Sequence, residues 1–217
     1  MTEPENRCRL VLVVPDIADA DEQVKSVADA LDGGDVASVI LPQYGLDDGS
    51  FQKRAEKLVP IIQGAGAAAL IAGDSRVVGR SKADGLHITG PASEIADAID
   101  RYADKLIVGG GNAADRHTAL EVGEERPDYI FFGKLDGEIK PEAHPKNLAL
   151  AEWWASMIEI PCIVMGGTDP ASALAVAETG AEFVAMRMGV FAEPAQASSI
   201  VAHINALLDE KAPRFED

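Results

Sequence analysis

The chain has 217 residues, of which 47% are hydrophobic and 25% charged, and a formal net charge of −17. These values suit one large core or two small domains and exclude a disordered chain, and the strong negative charge argues against DNA or RNA as a partner. Two cysteines, Cys8 and Cys162, imply no disulfide framework, and with no leader-like pattern and no apolar run of membrane-spanning length the expected setting is the cytoplasm, away from any membrane.

Short apolar runs alternate with amphipathic stretches along the whole chain. Residues 10–14 read as a strand ending in Pro15-Asp16. Helical spacing over 19–31 puts Val24, Val27, Ala28 and Leu31 on one face, and Gly33-Gly34 stops it. A strand at 36–41 is followed by a helix at 51–62, capped by Ser50 and ended by Gly64. Strand 68–72 precedes a short helix at 76–81, and strand 85–88 precedes a helix at 93–102 carrying Ile95, Ala98, Ile99 and Tyr102 in phase. Strand 106–108 runs into Gly109-Gly110-Gly111, then a helix at 113–122. Strand 129–132, a long polar loop and a helix at 148–158 come next. Strands 161–165 and 183–188, with helices 170–178 and 197–208, complete the chain.

The strands are continuously apolar and do not alternate, as expected of parallel strands covered on both faces. Eight strands and eight helices in strict alternation, with no linker or low-complexity tract, predict an α/β fold: a single-domain (β/α)8 TIM barrel.

In such a barrel the site lies where strands end. The most suggestive segment is Met165-Gly166-Gly167-Thr168 after strand seven, joined by Met188 and Gly189 after strand eight. Glycines there let the backbone approach a ligand, and grouped amides suit the phosphate of a small phosphorylated metabolite. Arg187 interrupts an apolar run; it either faces the same anion or, the safer reading, points outward to a helix and pairs there. Asp74, directly after strand three, suits either a Mg2+ ligand or a helix cap. Asp16 leans toward a cap or turn. His87 lies within strand four and reads as a packed histidine or a proton carrier. His144, Lys134 and Lys140 lie in the polar loop after strand six, where a lysine can meet a phosphate if the loop folds over the mouth. His117 and His203 look structural. At least one of Trp153 and Trp154 should be buried, in the core or against a second copy in a homo-oligomer.

Ile71-Ala72-Gly73-Asp74 with Arg76, Ala83-Asp84-Gly85-Leu86-His87-Ile88, Met165-Gly166-Gly167 and Gly180-Ala181-Glu182-Phe183-Val184-Ala185-Met186 together resemble the thiamine phosphate synthase family, with its thiazole tautomerase branch. The resemblance spans nearly the whole chain. It implies a (β/α)8 barrel, thiamine biosynthesis, and a transferase that joins a pyrimidine methyl diphosphate to a thiazole phosphate with Mg2+. It also implies thiazole-phosphate binding at Gly166, Gly167 and Gly189, Mg2+ at Asp74, and Lys140 near the diphosphate.

The chain departs from the family elsewhere. The Gln-x-Arg-x-Lys after strand two becomes Gln43-Tyr44 without a cation, and the second Mg2+ aspartate falls near Ala92. The Ser-x-His after strand five becomes Gly110 to Asn112, and Thr-x-Thr-Lys after strand six becomes Glu138-Ile139-Lys140. Losing these groups weakens stabilisation of a departing diphosphate by several kcal/mol. Three readings follow: the transferase, a metal-independent isomerase using His87 or His144, and a non-catalytic phosphate-binding barrel.

Overall fold

The computed structural model describes residues 6–111 and 113–215. Eight parallel strands close in sequence order: β1 (Arg9–Val13), β2 (Ser38–Pro42), β3 (Ala68–Ala72), β4 (Gly85–Ile88), β5 (Ile107–Gly110), β6 (Tyr129–Phe132), β7 (Cys162–Met165) and β8 (Phe183–Met186). Pairing of Arg9 through Leu12 with Phe183 through Met186 seals the barrel. The expected fold is therefore the observed one.

Alternate strand residues divide between two apolar layers. Val11, Val13, Ile40, Leu70, Phe131, Ile163, Met165 and Ala185 fill the barrel interior. Leu10, Leu12, Val39, Leu41, Ala69, Ile71, Phe132, Val164 and Val184 pack outward in the larger core beneath the helices. Both faces of most strands are thus apolar, which is why the strands read as largely unbroken hydrophobic runs. Cys162 is buried, and Trp154 lies in this core edge-on to Phe132.

The helices are α1 (Ala20–Leu31), α2 (Asp48–Gly64), α3 (Ser75–Ser81), α4 (Ala92–Tyr102), α5 (Arg116–Glu124), α6 (Pro145–Ala155), α7 (Ser172–Ala177), α8 (Met188–Phe191) and α9 (Ala197–Lys211). Asp19 caps α1, accepting from the amides of Asp21 and Glu22 at 2.9 and 2.8 Å. Asp16 does not serve as that cap. Asp47, not Ser50, caps α2: its carboxylate accepts from the Ser50 amide at 3.0 Å, and the helix starts a turn earlier than expected. The short α8 is an addition to the eight expected helices, created because β8 stops at Met186. His117 and His203 are both exposed on their helices. Among the described residues no helix is long and apolar enough to cross a membrane.

Arg7 fastens the two ends of the chain. Its side chain is buried, with Nε donating to Asp209 at 2.7 Å and Nη1 to the Cys8 carbonyl at 2.8 Å. A short antiparallel bridge between Arg7 and Arg214 lies alongside.

Candidate active site at the barrel mouth

A cavity of about 420 Å³ opens at the C-terminal ends of β2 through β6, walled by Pro42, Gln43, Tyr44, Ala72, His87, Thr89, Phe131 and Lys134 among others. His87 is buried within it and stands in the same layer as Gly109 and Tyr129, its register partners across β5 and β6. A side chain at Gly109 would strike the Tyr129 ring. Its absence lets Tyr129 cross β5 and bring its hydroxyl to 2.8 Å from His87 Nδ1. Gly109, expected just past the strand, is therefore part of it, and its role is to admit this contact. Asn112 lies outside the described residues.

Burial, with no compensating charge, lowers the His87 pKa from 6.5 to about 3, and burial likewise raises the Tyr129 phenol above its ordinary range. Both groups are neutral at physiological pH. When the phenol donates to Nδ1, the imidazole proton lies on Nε2, and that buried nitrogen has no hydrogen-bond partner among the described residues. His87 thus combines contact with the cavity and an unsatisfied donor or acceptor.

The turns after β7 and β8 are arranged differently. The Gly166 amide donates to the Ala185 carbonyl at 2.9 Å, and the Gly167 amide to Ser172 Oγ at 2.8 Å. The polar loop from β6 lies directly on them. Thr168 and Asp169 donate to the carbonyls of Lys140 and Pro141 at 2.8 and 3.1 Å, and a side chain at Gly167 would collide with the Pro141 carbonyl. The Met188 amide donates to Glu138 Oε1 at 2.7 Å. A side chain at Gly189 would meet the Met186 side chain and lie 3.1 Å from the Gly167 carbonyl.

Arg187 corrects an expectation. It follows Phe183 and Ala185 in the inward phase of β8 and pairs at the mouth, not outward with a helix. Its Nε donates to Glu138 Oε1 at 3.0 Å, with the two side chains 15% and 0% exposed. Tyr44, whose hydroxyl donates to the Val14 carbonyl at 2.7 Å, lies beside the guanidinium. Burial opposes the Arg187 charge, but the interactions with Glu138 and Tyr44 outweigh it and raise the pKa further.

The remaining candidates occupy the rim. His144 caps α6, its Nδ1 accepting from the Lys146 amide at 3.2 Å. Lys134 borders both the 420 Å³ cavity and a neighbouring one of about 630 Å³, which Lys140, His144 and Gly166 also line. Asp74 caps α3 by accepting from the Arg76 amide at 2.8 Å, and both its carboxylate oxygens accept from the Arg76 guanidinium. These bonds from Arg76 hold its pKa at about 2. Asp48 engages the same guanidinium at 3.1 Å. Among the described residues no three acidic, histidine or cysteine side chains converge as metal ligands. Two carboxylates already neutralised by one arginine, with no third acidic, histidine or cysteine ligand beside them among the described residues, do not fit a resident Mg2+.

Tyr129 is a site residue that the sequence did not single out, and Tyr44 and Glu138 stand there only as replacements at family positions, with no role assigned. For Tyr129 the signal was its two-residue spacing from Phe131. For Glu138 it was the glycine pair at 166–167, which requires something to approach closely.

A family model described as thiamine monophosphate synthase matches residues 10–190. The thiamine-phosphate synthase of Rhodospirillum centenum is 32% identical over 205 residues, covering 93% of this chain and 98% of that protein. That of Hyphomonas neptunium is 30% identical over 216 residues, covering 97% and 98%. Among solved structures, the thiamine phosphate pyrophosphorylase of Pyrococcus furiosus superposes with a TM-score of 0.77 at 20% identity, covering 95% of this chain and 97% of that one. The (S)-3-O-geranylgeranylglyceryl phosphate synthase of Thermoplasma acidophilum, solved with sn-glycerol-1-phosphate, shares the fold at a TM-score of 0.68 and 14% identity, covering 94% of each chain. With matches running from β1 through α8, the chain belongs to the thiamine monophosphate synthase family.

Proposed function

We propose that the chain is a cytoplasmic transferase of thiamine biosynthesis that joins a pyrimidine methyl diphosphate to a thiazole phosphate. The observation that carries this reading is similarity over almost the full length to proteins named thiamine-phosphate synthase. The 420 Å³ cavity with His87, Thr89 and Gln43 in its wall is of a size and polarity for a small heterocycle. The thiazole phosphate would sit by Gly166, Gly167, Met188 and Gly189, with Lys140 reaching toward the diphosphate. The test is formation of thiamine phosphate from both substrates in the presence of Mg2+. No product at high enzyme concentration would sink the transferase reading.

A second reading, a metal-independent isomerase acting on a thiazole phosphate, is favoured by two features. The Asp74 donor set does not suit Mg2+, and His87 offers a buried, unpartnered ring nitrogen beside the cavity. A proton carrier needs no diphosphate clamp. Metal-independent turnover that survives in both His87→Ala and His144→Ala would remove that role from the two histidines. Ligand-dependent stabilisation without turnover in either assay would leave a phosphate-binding barrel.

A further inference from the structure

Glu138 dips into the mouth between exposed neighbours: its side chain is fully buried, whereas Ile139 beside it is 87% exposed. Oε1 takes both the Arg187 guanidinium and the Met188 amide, while Oε2 is buried with no hydrogen-bond partner among the described residues. A carboxylate has about four acceptor positions, so this one is held at one end and bare at the other. Burying an incompletely satisfied anion is unfavourable. Here it is done in a chain of net charge −17, at the side of the mouth where the thiazole phosphate is proposed to bind.

We propose that Glu138 is an internal stand-in for the ligand phosphate, and that a phosphate enters by exchange with it. The inference rests on the phosphate-binding reading above. The Met188 amide has a single proton and Glu138 Oε1 already takes it together with the Arg187 Nε proton, so a phosphate oxygen can reach those two donors only by displacing the carboxylate. Exchange requires the segment 134–142 to lift. Its anchors are few: two backbone hydrogen bonds, from Thr168 and Asp169, the half-buried Leu135 against the barrel interior, and the Glu138 carboxylate itself. The loop is therefore a gate that closes on its own carboxylate when the site is empty of phosphate.

Calorimetric titration with inorganic phosphate and with inorganic pyrophosphate tests the gate on the full chain and on Glu138→Gln and Glu138→Ala. Removing the competing charge should tighten binding by about tenfold or more. Adding Arg187→Met to the Glu138→Gln chain should abolish the gain. In the native chain, saturating phosphate should speed hydrogen exchange of the amides at 134–142, a readout that survives if a variant does not fold. Equal or weaker binding in the variants, or unchanged loop exchange in a native chain that binds phosphate, overturns the gate and leaves the phosphate site standing. A gain that persists in the double variant overturns the placement at Arg187. Absence of binding in every form overturns the phosphate reading and the gate with it.

Discussion

At the ends of β2 through β6 the mouth is an open cavity bordered by His87 and Phe131, whereas at β7 and β8 the loop from β6 closes directly over Gly167 and Met188, beside the 630 Å³ cavity that Gly166 lines. Glycine serves both halves in opposite ways. Gly109 removes a side chain so that Tyr129 can cross to His87 beside a cavity. Gly167 removes one so that the Pro141 carbonyl can settle and close the surface. The lesson is that a glycine-rich strand end marks a close approach of something, and only the surrounding chain says whether that is a ligand, a ring or another loop.

The largest expected effect comes from breaking the closed half. Arg187→Met strands the Glu138 carboxylate, and loss of one partner of a buried ion pair costs about 3–5 kcal/mol. Denaturant unfolding should show that loss, and adding Glu138→Gln should restore most of it. If the double variant is as unstable as the single one, charge pairing is not what holds the loop down.

In the open half the corresponding probe is acid. The unfolded chain takes up a proton at His87 below about pH 6.5, but the folded chain resists until about pH 3. A lowered histidine pKa therefore gives stability that is intact above the higher value and falls as the pH drops toward the lower one. The loss is about 1.4 kcal/mol per pH unit within that window. His87→Phe should flatten this part of the profile. A His87 ring resonance that titrates near pH 6.5 in the folded protein would contradict its burial.

Gly109→Ala should be somewhat milder. Forcing a methyl group against the Tyr129 ring costs about 1–3 kcal/mol, seen as a lower thermal midpoint. The substitution also separates Tyr129 from His87, so it should depress turnover more than a Gly189→Ala change of similar stability if the open half holds the reacting groups.

The fold was readable because each strand is an apolar run bounded by turn residues. Strands 68–72, 85–88 and 129–132 were placed to the residue. Phase within the strands was not readable, since both faces are apolar and nothing marks Arg187 as inward. Gly109-Gly110-Gly111 reads as the end of the strand because glycines carry no apolar pattern, yet the requirement at Gly109 lies in Tyr129, twenty positions away. Asp74 reads equally as a cap and as a ligand in the sequence, and Arg76, which occupies both its oxygens, decides for the cap. Glu138 sits in a loop whose composition is that of a solvated segment, and local pattern does not reveal that one side chain in it is buried.

The smallest stability effect is expected at Lys140, and it separates the loop's backbone from its side chain. The Lys140 carbonyl anchors the loop by accepting from the Thr168 amide, while the side chain is exposed. Lys140→Ala should therefore leave stability within about 0.5 kcal/mol of the native chain. If the ammonium group meets the phosphate when the gate is open, affinity for inorganic pyrophosphate should fall by about tenfold, the loss expected for one charge-assisted contact. The Glu138→Gln background, where the gate no longer competes, gives the cleaner reading. An unchanged affinity there would assign the loop's contribution to its backbone and to Glu138 alone, and would leave Arg187 as the cation that meets the phosphate.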